Sequence, residues 1–138
     1  MYILWCKGND MKIELFTLCD GAYNYNGKLT IVGTKEGFFV HSFPEKVSFN
    51  IAMKFLITPG QVVEKKLRLQ FNDPENKLMP ARLECNISAP FSKEESHISL
   101  AASIQGVPLE KDGVYKVAVL LDEEVLNEYN FFVKKRNA

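Results

Sequence analysis

From Lys46 to Ile57 the chain alternates: Val47, Phe49, Ile51, Met53, Phe55 and Ile57 fall on one face, and Lys46, Ser48, Asn50 and Lys54 on the other. A period of two predicts a half-buried strand, since a helix would scatter these apolar side chains around its circumference. The same period recurs at Val63, Leu67, Leu69 and Phe71, opposite Glu64, Lys66, Arg68 and Gln70, and again at Ile98, Leu100, Ala102 and Ile104. Less regular runs at Lys12–Asp20, Lys28–Thr34, Phe38–Ser42 and Leu78–Ile87 also read as strands. Pro80 cannot donate to a ladder and points to an edge or a bulge.

Turn chemistry separates these runs. Gly21–Gly27 is turn-rich and ends on Asn26-Gly27, the strongest short hairpin signal. Pro59-Gly60 turns the chain, and Asn72-Asp73-Pro74-Glu75-Asn76 turns it again, with Asp and Asn bonding their own backbone and Pro presetting φ. Ser88–His97 is expected to be a loop with room for one helical turn. The final segment, Gly113–Val133, holds two β-rich runs around Asp122-Glu123-Glu124. A two-residue turn at Glu123-Glu124 would set charge and amide on an apolar face. A three-residue turn pairs Leu121 with Val125, Val117 with Tyr129 and Tyr115 with Phe131, and burial selects that register. About seven to nine short strands with regular turn signals argue an all-β, two-layer antiparallel β-sandwich.

Length and charge narrow the picture. At 138 residues the chain is long enough for one core, with residues 11–138 as a single domain and residues 1–10 as an N-terminal extension. The apolar run in that extension is shorter than a signal-peptide core, and no basic residue precedes it. No stretch approaches the roughly 18 apolar residues of a membrane span. Seventeen basic and seventeen acidic residues cancel, so no long-range field favours nucleic acid or an anionic membrane. Lys134-Lys135-Arg136 reads as a solubilising tail. Three cysteines, Cys6, Cys19 and Cys85, are too few and too scattered for a disulfide framework or a zinc site. Reduced, buried thiols suit a reducing cytosol, so a cytoplasmic location is expected. Asn86-Ile87-Ser88 matches a glycosylation acceptor but means nothing without secretion.

Gly113-Val114-Tyr115-Lys116-Val117 resembles the tyrosine corner of immunoglobulin-like sandwiches, with Val117 in the place of the second cysteine. A wider resemblance runs over most of Met11–Val133. Its marks are Cys19-Asp20-Gly21-Ala22, Gly27-Lys28-Leu29-Thr30-Ile31-Val32-Gly33, Pro44 before a long strand, Asp73-Pro74, and Gly106-Val107-Pro108-Leu109 ahead of Gly113-x-Tyr115. In these the chain is similar to a family of uncharacterised bacterial proteins known as a domain of unknown function. It departs from that pattern in carrying Glu123-Glu124 where the last hairpin turn usually has a glycine. The resemblance implies an immunoglobulin-like sandwich and carries no activity across.

Candidate chemistry is sparse. The chain has no G-x-S-x-G elbow, H-E-x-x-H, P-loop or G-x-G-x-x-G. A thiol enzyme would need Cys19 or Cys85 beside His41 or His97 with an orienting carboxylate such as Asp20. Calcium would need more oxygens than Asp73, Glu75 and Asn76 supply, and turn formation explains the same residues. No catalytic residue, cofactor or metal is therefore assigned. Doubled apolar residues carry more information. Phe38-Phe39-Val40, Leu56-Ile57, Leu120-Leu121 and Phe131-Phe132-Val133 put apolar side chains on both faces of a strand, whereas a sandwich buries one face of each sheet. Phe38, Phe39, Phe131, Phe132 and Val133 are the candidate interface of a non-catalytic protein-interaction or assembly module, with a protein partner or homodimer as the expected complex. Tyr23, Asn24 and Tyr25 are the candidate loop of the alternative, a small-ligand or carbohydrate binder.

Overall fold

The computed structural model describes residues 11–136. The extension at residues 1–10, with Cys6, lies outside them. Nine strands follow in order: β1 (Met11–Tyr25), β2 (Lys28–Lys35), β3 (Gly37–Val40), β4 (Glu45–Ile57), β5 (Val63–Asn72), β6 (Leu78–Ala89), β7 (Ser96–Leu109), β8 (Gly113–Leu121) and β9 (Glu124–Lys135). They form two sheets, β2-β1-β4-β7 and β3-β9-β8-β5-β6. The layers are those of an immunoglobulin-like sandwich. No helix among the described residues is long and apolar enough to cross a membrane.

The alternating residues of β4 do face inward: Phe49, Ile51, Met53, Phe55 and Ile57 are all buried. Aromatic rings tie the sheets together. Phe49 of β4 lies 5.2 Å from Phe38 of β3 and 6.1 Å from Phe71 of β5, centroid to centroid. Phe131 of β9 lies 5.8 Å from Phe38 and 5.3 Å from Tyr115 of β8. Burying each such ring stabilises the fold by about 1.5–3 kcal/mol, so this cluster outweighs any surface contact. The tyrosine corner is present: Tyr115 is buried, and its hydroxyl donates to the Lys111 carbonyl at 2.7 Å. Desolvation of that phenol raises its pKa.

Several local expectations are corrected. β3 pairs with β9 in parallel, Gly37 opposite Phe132, while the other strand pairs are antiparallel. No crossover helix is needed, because these two strands are distant in sequence. β1 runs through the turn-rich Gly21–Tyr25 as strand and turns only at Asn26 and Gly27, both with positive φ. Ser88–His97 holds no helical turn: β6 extends to Ala89 and β7 starts at Ser96. β7 also continues past Gly106 to Leu109.

The last hairpin keeps its inferred body but not its inferred turn. Tyr115 pairs with Phe131 and Val117 with Tyr129, yet Leu121 pairs with Glu124 and Leu120 with Val125. Asp122 and Glu123 make a two-residue turn with φ of 48° and 68°, and a bulge at Leu126 absorbs the extra residue. Two positive-φ residues match the right-handed twist of the strands, which a longer turn matches less well. The turn is docked on β5: Asp122 exchanges hydrogen bonds with the Lys66 backbone at 2.9 Å each way, and Glu123 pairs with Arg68.

Tyr115→Phe is expected to cost about 1–1.5 kcal/mol in urea unfolding, since only the hydroxyl's bond to Lys111 is lost. Glu123→Gly removes the left-handed penalty at φ 68° and gives up an ion pair whose carboxylate is mostly exposed. It is expected to raise the urea midpoint, by about 0.5 kcal/mol net.

Candidate interaction surface

Adjacent strand residues point to opposite faces, so each apolar doublet splits. Of the five candidate interface residues, Phe38, Phe131 and Val133 are buried in the core and form no surface. Phe39 and Phe132 face outward. Phe39 is 54% exposed, Phe132 is half-buried, and their rings meet edge-on at 5.4 Å. Val114, 59% exposed on β8, stands opposite Phe132 across the ladder and completes an apolar patch on three neighbouring strands.

The patch exists because of one glycine. A Cβ at Gly37 would lie 2.3 Å from the Phe132 carbonyl oxygen and 2.5 Å from its ring. A bare backbone there lets β3 approach β9 with the Phe132 ring beside it. Cations cap the rings: Lys134 Nζ lies 5.1 Å from the Phe132 centroid, and the Arg136 guanidinium 5.4 Å from that of Phe39. The Arg136 amide donates to the Val40 carbonyl at 2.6 Å, which fixes the end of the chain beside β3. Among the described residues neither Lys134 nor Arg136 has a carboxylate partner, and the same holds for Lys12, Lys28, Lys46, Lys77, Lys93 and Lys135. Sequence reading missed Val114, although a buried Tyr115 beside it requires Val114 to point outward.

The candidate ligand loop divides as well. Tyr23 and Tyr25 are 62% and 74% exposed on the outward side of the β1–β2 ribbon. Asn24 points the other way and donates its Nδ2 to the Ser99 carbonyl of β7 at 2.9 Å. The three do not converge on one ligand.

Cys19 is fully buried, its Sγ is 3.6 Å from the Asn50 carbonyl, and burial pushes its pKa up. His41 is exposed beyond β3, and His97 Nε2 sits 3.4 Å from a Glu14 carboxylate oxygen. Cys85 is half-buried on β6, its pKa also raised by desolvation. No three His, Cys, Asp or Glu side chains among the described residues are grouped to hold a metal. At the opposite turn, Asp73 Oδ1 accepts from the Glu75 and Lys77 amides at 2.9 Å each, and Glu75 pairs with Lys111. The Lys77 amide bond leads in lowering the Asp73 pKa, and the Lys111 bond in lowering that of Glu75. A cavity of 190 Å³ lies beside this turn, lined by Leu78, Met79, Pro80, Pro108 and Tyr115 among others.

Both carboxyl groups have folded pKa values below their unfolded ones. Their contribution is therefore complete above the unfolded values and is lost as pH falls through the folded ones. Stability is expected to decline below about pH 4.5, and Asp73→Ala to flatten that decline in acid-unfolding curves. Gly37→Ala is expected to destabilise by about 2 kcal/mol or more, with faster amide exchange in β3, because its neighbour is backbone that cannot give way.

Three solved structures with a similar arrangement are parts of larger chains. A Pseudomonas fluorescens alkylpurine DNA glycosylase, AlkC, bound to DNA containing an abasic site analog, aligns with TM-score 0.53 and 13% identity over 92% of this chain and 31% of its own. A glycosyl hydrolase family 2 member from Bacteroides cellulosilyticus aligns with TM-score 0.52 and 15% identity over 94% of this chain and 16% of its own. A β-glucuronidase from glycoside hydrolase family 2 gives 0.50 and 16%, over 93% and 13%. This chain spans under a third of each, and at such identity the likeness is one of fold. No curated protein matches the chain. A family model does match, across residues 14–134, and the chain thus belongs to the family of unknown function DUF6941.

Proposed function

We infer that this chain is a non-catalytic protein-interaction or assembly module whose contact face is the outer side of β3, β9 and β8. The observation that carries the reading is the exposed Phe39–Phe132–Val114 patch with Lys134 and Arg136 stacked on its rings. Aromatic and arginine side chains dominate the energetic centres of interfaces, where desolvation strengthens both ring packing and cation–π attraction. A partner, or a second copy, that covers the patch keeps the rings from water. The thiol alternative has little support, since Cys19 is sealed and its pKa is raised. A carbohydrate or small-ligand role would rest on Tyr23 and Tyr25 alone, because Asn24 is engaged elsewhere.

Phe39→Ser and Arg136→Glu are the test. Both change exposed atoms and are expected to leave the thermal midpoint within a few degrees of the parent. Each is expected to abolish dimerisation of the parent in sedimentation, or the parent's recovery of a specific protein partner. A complex that survives both substitutions refutes the assignment of this face. A parent that is monomeric and retrieves nothing refutes the module.

A further inference from the structure

The β1–β2 ribbon does not continue its sheet in the plane. Both β1 and β2 touch β7, although β4 lies between β1 and β7, and β1 and β4 between β2 and β7. The ribbon must therefore fold back over the outer face of β4 and β7. Side-chain burial agrees. Ala22, Leu29 and Ile31, on the side shared with Asn24, are half-buried, while Tyr23, Tyr25, Thr30 and Val32 on the other side are exposed. Beneath the ribbon, Cys19 and Ala52 are fully buried although they alternate with the core residues Leu18 and Ile51 and so face away from the core. Ser99 and Ala101 on β7 are half-buried on the same outer face.

The fold-back has a defined hinge and a defined latch. Gly33 stands across from Asp20 in the register and has φ +66°, and a Cβ on it would lie 2.3 Å from the Asp20 carboxylate. The Asp20 carbonyl accepts from Asn50 Nδ2 at 2.8 Å, and its carboxylate meets Lys35 Nζ at 2.8 Å, so the fixed side of the hinge is anchored to β4 and β2. Beyond it, the ribbon holds β7 by the exposed Asn24–Ser99 hydrogen bond. We propose that this ribbon is a strap that opens at Asp20 and Gly33 and closes at Asn24, covering and uncovering the small-residue outer face of β4 and β7.

Opening breaks one exposed hydrogen bond and partial apolar contacts, and leaves the aromatic core between the sheets untouched. It is therefore a sub-global event, rarer than fraying and commoner than unfolding. Cys19, buried on the outer face at the base of the strap, is expected to report it by becoming accessible on opening. In a Cys6→Ser, Cys85→Ser background, Cys19 labelling by a thiol reagent under native conditions is expected to exceed the rate set by global unfolding. Asn24→Ala is expected to speed it by about fivefold, the net worth of one hydrogen bond. Tyr25→Ala, on the outward side of the same ribbon, is expected to leave the rate unchanged. Amides of β2 are expected to exchange hydrogen faster than those of β4 and β8. Labelling that follows global unfolding in parent and Asn24→Ala alike, or equal protection of β2 and β4, overturns the strap.

Discussion

Everything in this fold depends on burying one face of each strand against the opposite sheet. Phe49 reaches from the four-stranded sheet to Phe38 and Phe71 of the five-stranded one, and Phe131 packs against both of these and against Tyr115. Rings with centroids 5–6 Å apart pack edge-to-face or offset and leave no room for a shifted register. A one-residue slip in β4, β5, β8 or β9 would turn an aromatic ring to water and a charge inward.

The outer faces are then handled in three ways. On β5, β6, β8 and β9 they carry a network of ion pairs, Lys66 and Arg82 with Glu84, Arg68 with Glu123, and Lys116 with Glu128. Such solvated pairs add little stability but keep the surface polar and uncommitted. On β4 and β7 the ribbon makes a partial third layer, which only small side chains such as Ala52, Ser99 and Ala101 admit. On β3, β9 and the start of β8 neither device operates, and Phe39, Phe132 and Val114 remain exposed under two cations. The contrast within one molecule is what marks that region as a contact face.

Edges follow a related logic. β2 pairs with β1 only from Leu18 onward, and β3 pairs with β9 only over Phe132–Lys135. Among the described residues the other halves of these two edges are uncovered, and each carries a bulge, near Glu14 in β1 and at Leu126 in β9. Bulges distort the row of free amides and carbonyls that another strand would need, so the sandwich resists unplanned sheet extension.

Period-two alternation and turn residues were enough to read nearly all strands, the sandwich and the paired body of the last hairpin from sequence, because these are local consequences of sterics and burial. The tyrosine corner was legible for the same reason, as a short pattern whose hydrogen bond closes within five residues. Which half of Phe38-Phe39 or Phe131-Phe132 meets water was not legible, since both members of a doublet are equally apolar and only the opposite sheet chooses between them. The fold-back of Gly21–Gly33 was hidden too: Asn26-Gly27 announces a hairpin, but where that hairpin lies depends on Asn24 finding Ser99, 75 residues away. Sequence alone determined nearly all the strands and the fold class. The tertiary structure alone decided which apolar surface stays open and which is strapped shut, because exposure belongs to the packing of distant segments and not to any residue by itself.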